Sequence, residues 1–254
     1  ATPSSLAVMR EILADLVAEQ QALDQMLQRA PDRDWKRATP AAGWSVQDTI
    51  SHLAATEEHA RRALTGARGL RAQVVAAGGI DAFNQAGVDL GRTKRPPEVI
   101  EWWRHSRAAV VEILSRTPRQ TRVGWYAGPM SVRTFATTRL METWAHGLDI
   151  VTALKREVAD TPRLRHVAWL GWKTLPYAFG RAGEKYPAPI RVELLGPGYA
   201  RWVFGPEESE QVVRGPAADW CRLVVRRLPP SSAGSLVAVG DVAATALRVA
   251  RAYI

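Results

Sequence analysis

The chain has 254 residues, of which 46% are hydrophobic, enough for one large core or two modest ones. No run of eighteen apolar residues occurs, which excludes a helical membrane span, and the single cysteine, Cys221, excludes an internal disulfide and a cysteine-based zinc site. The net charge is +9, but it is scattered over separate pairs (Arg61/Arg62, Lys94/Arg95, Arg163/Arg165, Arg226/Arg227), and no nucleic-acid motif accompanies it; an acidic small molecule fits this balance better than nucleic acid.

The opening ATPSSLAVMREILADL has neither the basic start nor the apolar core of a signal peptide. Its lack of an initiator Met suggests trimming or a removed tag. With one cysteine, a reducing, cytoplasmic location is expected. From about Ser4 to Ala30, Leu6, Met9, Ile12, Leu13, Leu16, Leu23, Met26 and Leu27 recur at helical spacing, and Pro31 ends the run. Ser45 is a good N-cap, and Asp48 three residues on makes a short capping box. A second helix is therefore expected from Val46 to about Leu64, broken by Gly66 and Gly69. Residues 66–95 give no clear period beyond a short helix near Ala82–Val88. Pro96 and Pro97 suit the first turn of a third helix carrying Trp102, Trp103, Val110, Ile113 and Leu114. Gly128-Pro129 marks a turn, and Ser131 caps a fourth helix from Val132 to about Lys155. Four long helices with short connections predict a four-helix bundle over residues 1–158.

The pattern changes after Arg156. EVADTPR reads as a linker, and a helix with Val167, Leu170 and Leu175 follows, up to a break at Gly180–Gly183. IRVELLG and ARWVFG are strand-like runs around Pro197-Gly198, a hairpin signal. GPAADWCRLVVRRL reads as a helix begun near Pro216, LVAVGD as a strand and VAATALRVARAYI as a closing helix. Mixed elements over residues 159–254 predict a small α+β domain, so the fold class is α with α+β.

The chemistry is carried by three residues. Glu142 and His146 in METWAHGLDI are four apart, so on a helix both project from one face, one turn from each other. A carboxylate and a neutral imidazole so placed can share a divalent ion, and His52 in GWSVQDTISHL, on another helix, would complete a facial set with an open position. The alternative is an ordinary i,i+4 pair on a solvated face. Asp149, one turn beyond His146, could orient an imidazole but reads better as a surface carboxylate. His59, His105 and His166 have no partner at ligand spacing and read as ordinary helical histidines. The ten tryptophans are mostly core or pocket wall, with Trp144 pointing away from the ligand face.

GWSVQDTISHLAATE together with ETWAHGLDI resembles the DinB-like metalloenzyme superfamily, in particular the actinobacterial-type branch of mycothiol-dependent maleylpyruvate isomerases. GPAADWCRLVVRR resembles the small, sterol-carrier-protein-like α+β domain of that branch. The resemblance implies one divalent metal, most often Zn2+, on His52, Glu142 and His146, and mycothiol as a cosubstrate in several members. A divalent ion with an open position can lower the pKa of such a thiol, whose thiolate attacks an electrophilic carbon of a small, anionic substrate. Addition, rotation and expulsion would isomerise a cis alkene; stopping after addition or displacement would make an S-conjugate. Arg222, Arg226 and Arg227 are candidate carboxylate clamps. The alternatives are a thiol-independent metal enzyme (hydrolase, lyase or cyclase) of a biosynthetic pathway, or a non-catalytic ligand-binding module.

Overall fold

The computed structural model describes residues 5–66 and 69–253, and the chain divides into two compact units, 1–158 and 159–254. The expected first residue of the opening helix, Ser4, lies outside the described residues. No described helix is long and apolar enough to cross a membrane.

The first unit runs α1 (Ser5–Gln28), α2 (Asp32–Trp35), α3 (Val46–Leu64), α4 (Leu70–Ala76), α5 (Ile80–Arg92), α6 (Pro96–Arg116), a hairpin β1 (Arg122–Trp125) and β2 (Gly128–Ser131), and α7 (Val132–Ala153). The long helices α1, α3, α6 and α7 form the bundle: α3 packs on α6 and α7, and α1 on α6 and α7. Their shared core includes Leu23, Leu27, Val46, Ile50, Leu53, Val99, Trp103 and Ile150, all buried. The start of α3 is fixed by the expected capping box. Ser45 Oγ accepts from the Asp48 backbone N–H at 3.2 Å, and Asp48 Oδ2 accepts from the Ser45 backbone N–H at 2.9 Å. Buried Asp24 ties α1 to α6 by accepting hydrogen bonds from Arg104 and Arg107.

The middle of this unit departs from the sequence reading. The expected short helix at 82–88 is the centre of the longer α5, with α4 before it. Glycines 87 and 91, helix-weakening in sequence, are what let α5 lie close on α3: a Cβ at Gly91 would stand 1.8 Å from Ser51 Oγ. The turn expected at Gly128-Pro129 falls instead at Tyr126-Ala127, because Trp125 pairs with Gly128 and Gly124 with Pro129. A two-stranded ribbon has free edges, where the missing N–H of a proline removes no ladder bond.

The second unit holds α8 (Leu164–Lys173), α9 (Leu175–Ala182), β3 (Arg191–Leu195), β4 (Arg201–Phe204), β5 (Val212–Pro216), α10 (Ala217–Val224), β6 (Val237–Val239) and α11 (Asp241–Val249). Its sheet has the order β4-β3-β5-β6, with β3 and β5 parallel and the other neighbours antiparallel. The hairpin around Pro197-Gly198 is present, whereas β5, within QVVRGP, was not foreseen. One expected helix is two, α8 and α9, parted at Thr174. The closing helix stops at Val249, and Ile254 lies outside the described residues. Trp220 Nε1 donates to the Ala168 carbonyl at 3.1 Å and seats α10 on α8.

Candidate metal centre

Helix α3 presents His52 and helix α7 presents Glu142 and His146 to the same point. The nearest carboxylate oxygen of Glu142 lies 3.8 Å from His52 Nε2 and 3.4 Å from His146 Nε2. One ligand atom from each of the three residues lies within 4.8 Å of the other two. The imidazole centroids are 4.8 Å apart with the rings edge to face. His52 is buried, while His146 and Glu142 keep side-chain exposures of 13% and 19%, so the cluster is partly open to solvent through these two residues.

The surroundings fix which atoms can act as ligands. His146 Nδ1 is 3.2 Å from Asp149 Oδ2, and Asp149 is buried, at 2% exposure. Asp149 is therefore a buried partner of the imidazole and not the surface carboxylate its sequence context suggested. With the Nδ1–H donated to this carboxylate, Nε2 is the His146 nitrogen that faces Glu142 and the one a cation would take. Two acceptors at 3.4 Å repel unless a proton or a cation lies between them. Burial, the largest influence on His52, lowers its pKa and keeps the imidazole neutral with a lone pair to offer. Burial is likewise the largest influence on Glu142 and opposes ionisation there. The neighbouring imidazoles of His146 and His52 and the charge of Arg139 outweigh it and hold the carboxyl well below the usual range. Two imidazoles, an ionised carboxylate and a buried orienting acid make a donor set that fits a divalent cation such as zinc. Trp44 walls the site, its ring 4.9 Å from that of His52 and 6.1 Å from that of His146, and its Nε1–H donates to Gln85 Oε1 of α5 at 3.2 Å.

A second polar group beside this cluster escaped the sequence reading. Glu57 of α3 and Arg139 of α7 are both buried and approach to 3.6 Å. The Arg139 guanidinium lies over the Trp125 ring at 4.9 Å. Each stands in a run of small and apolar residues, SHLAATE and FATTRLM, and that placement is the only trace of burial the sequence carries. His59 is partnered: it stacks on Phe83 at 4.6 Å, and its Nδ1 shares a 2.9 Å hydrogen bond with the Tyr126 hydroxyl. Burial lowers its pKa to about 4, so it is neutral in ordinary buffers.

The three candidate clamp arginines all belong to the second unit. Arg222 forms a bidentate pair with Asp160, at 2.9 and 3.1 Å, and Arg227 Nη1 donates to the Val225 carbonyl at 2.8 Å. Arg226 is exposed, in the left-handed conformation at φ 60°. Within that unit these contacts close the end of α10.

A helical bundle whose facing helices carry two histidines and one glutamate at a single point has the DinB-like architecture. The chain belongs to the mycothiol maleylpyruvate isomerase N-terminal domain family, whose model matches residues 16–151. It is 39% identical over 247 residues to the uncharacterized protein Rv0036c of Mycobacterium tuberculosis strain H37Rv, covering 95% of this chain and 94% of the relative. The uncharacterized protein MT0041 of strain CDC 1551 matches to the same extent. Two solved structures share the fold at a TM-score of 0.61: mycothiol-dependent maleylpyruvate isomerase, 18% identical, and its histidine-to-alanine mutant, 17% identical. Each match spans 91% of this chain and 92% of the other.

Proposed function

We propose that this chain is a metal-dependent enzyme of the mycothiol-dependent isomerase or S-transferase type, acting on a small, electrophilic, anionic substrate. The observation that carries the reading is the convergence of His52, Glu142 and His146, with Asp149 buried behind His146. His52, Glu142 and His146 would hold one divalent ion, zinc being the best match to the donor set. Bound there, such an ion lowers the pKa of a thiol and keeps it as thiolate at neutral pH.

The chain's own residues define the rest. Asp149 keeps a proton on His146 Nδ1, and Trp44 shields one flank of the centre from water. Cys221 cannot supply the nucleophile: it is fully buried, and burial pushes its thiol pKa well above the ordinary value. The thiol must come from outside, which agrees with the thiol dependence of the structural neighbour, mycothiol-dependent maleylpyruvate isomerase. In the isomerase reaction the thiolate sulfur bonds to one carbon of a cis alkene conjugated to a carbonyl, and the π electrons move to the carbonyl oxygen. The resulting single bond rotates. The electrons return, the C–S bond breaks, and thiolate leaves with the trans alkene, so no atom or electron is gained or lost. In the transferase variant the S–C bond is kept, the enolate takes a proton from solvent at its α carbon, and the product is a thioether.

The test pairs two measurements on wild type and His52→Ala. Metal analysis after dialysis is expected to find one ion per wild-type chain and a loss of about tenfold or more in affinity in the variant. Ultraviolet spectroscopy of a cis-enone acid such as maleylpyruvate is expected to show conversion only with added thiol. Equally low metal in both proteins would overturn the reading, as would turnover indifferent to thiol.

A further inference from the structure

We propose that Arg139, together with Glu57, forms a carboxylate-binding subsite beside the His52–Glu142–His146 cluster, so that the substrate is a small carboxylic acid anchored inside the bundle. The inference rests on the reading of that cluster as the reaction centre, and it relocates the anion anchor from the arginines of the second unit to the first.

Arg139 precedes Glu142 by one helical turn and His146 by two on α7, so the three share a face of that helix. Glu57 lies on α3, the helix that supplies His52. Both side chains are almost fully enclosed, at 2% and 1% exposure. Their 3.6 Å approach is electrostatic contact but too long for a hydrogen bond. Among the described residues, Nε and Nη1 of Arg139 meet no acceptor, and Oε2 of Glu57 meets no donor. A buried guanidinium with unfilled donors is costly, and such groups collect where a ligand completes them. The rings of Trp125 at 4.9 Å and Phe135 at 5.7 Å hold the guanidinium in place, so its fork is oriented before a ligand arrives.

A carboxylate matches this receptor. It accepts two parallel hydrogen bonds from a guanidinium, and a protonated Glu57 can donate a third. Burial, the largest influence, raises the Glu57 pKa to about 7, so both protonation states are populated near neutrality. The groups that act on it are Arg139 and Glu142 of α7, Arg107 of α6 and the phenol of Tyr126 at the hairpin turn. Arg107 is itself paired with Asp24 of α1. An anion docked on Arg139 favours the protonated form of Glu57, so binding takes up a proton. Affinity then falls as pH rises through 7, by at most about tenfold per unit.

Calorimetric titration of the full-length protein with succinate, a saturated and unreactive dicarboxylate, tests this, with succinamide as the uncharged control. Succinate is expected to bind and succinamide not to bind. Arg139→Gln is expected to weaken succinate by about tenfold or more, and Arg139→Lys by less, since it keeps the charge but loses the fork. Glu57→Gln is expected to tighten binding at about pH 8 and to remove its pH dependence. Succinate affinity equal in wild type and Arg139→Gln overturns the proposal, as does no binding to wild type. Should Arg139→Gln fail to fold by circular dichroism, Glu57→Gln decides alone: an unchanged pH profile overturns it. Binding needs neither thiol nor turnover, so absence of thiol-dependent catalysis would sink the proposed function without touching this result.

Discussion

The buried acid behind His146 offers the sharpest test of the centre. Asp149 Oδ2 is 3.2 Å from His146 Nδ1, and the residue is 2% exposed. Asp149→Asn preserves volume, so no cavity opens. It changes the chemistry of the contact with His146 Nδ1: the amide can turn its NH2 toward the ring and favour the tautomer with the proton on Nε2, the nitrogen that faces Glu142. That nitrogen would then have no lone pair to give. Loss of such an orienting partner weakens metal binding by roughly 10–100-fold, or about 1.4–2.7 kcal/mol at about 1.36 kcal/mol per decade. Competition against a chromophoric zinc chelator measures it directly, and nitrogen NMR of the imidazole reports the tautomer. If Asp149→Asn holds zinc as tightly as wild type with the tautomer unchanged, helix packing alone orients His146 and the argument from Asp149 is wrong.

Three further outcomes follow from packing and charge. Gly91→Ala places a methyl group 1.8 Å from Ser51 Oγ and should cost about 1–3 kcal/mol in urea unfolding, whereas Gly147→Ala, which meets nothing within 4 Å, should be neutral or stabilising by up to about 1 kcal/mol. Ser45→Ala removes the side-chain half of the α3 capping box and should cost about 1 kcal/mol, leaving the bond from the Ser45 backbone N–H to Asp48 intact. Glu57 has a folded pKa raised from 4.5 to about 7, so its stabilising share is full below pH 4.5 and is lost as pH rises through 7. Glu57→Gln should therefore gain on wild type across that window, by on the order of 3 kcal/mol at most, in urea unfolding at matched pH.

What the sequence made legible was what local chemistry determines. Ser45 with Asp48, Pro96 with Pro97, and Ser131 each begin a helix where a cap or a preset φ dictates it, and α3, α6 and α7 start there. The Glu142/His146 pair is legible for the same reason, since four residues on a helix make neighbours. His52 is not, because its place beside them depends on how α3 and α7 pack; only the resemblance of its surroundings pointed to it. The burial of Asp149 is not legible, because a carboxylate one turn past a histidine reads the same in sequence whether buried or wet. Glu57 and Arg139 come from distant segments, and nothing local announces that they meet. Strand β5 was missed because it pairs with β3 in parallel, across an intervening strand, with no turn signal to mark it.

The bundle contains two kinds of buried charge, and their difference separates structure from function. Asp24 accepts four hydrogen bonds, from Gln28, from two nitrogens of Arg104 and from Arg107, so its lone pairs are filled and it serves as a rivet between α1 and α6. The groups between α3 and α7 are not filled in this way. Among the described residues, His52 Nδ1, Glu57 Oε2 and Arg139 Nε and Nη1 are enclosed without partners, and the Nε2 atoms of both imidazoles face the Glu142 carboxylate. A core selected for stability alone would favour apolar side chains at these positions, since unsatisfied buried polar atoms each cost about 1–3 kcal/mol. Their placement along one seam, with Asp149 at one end and Arg139 at the other, is what a site for a cation and an adjoining anion requires.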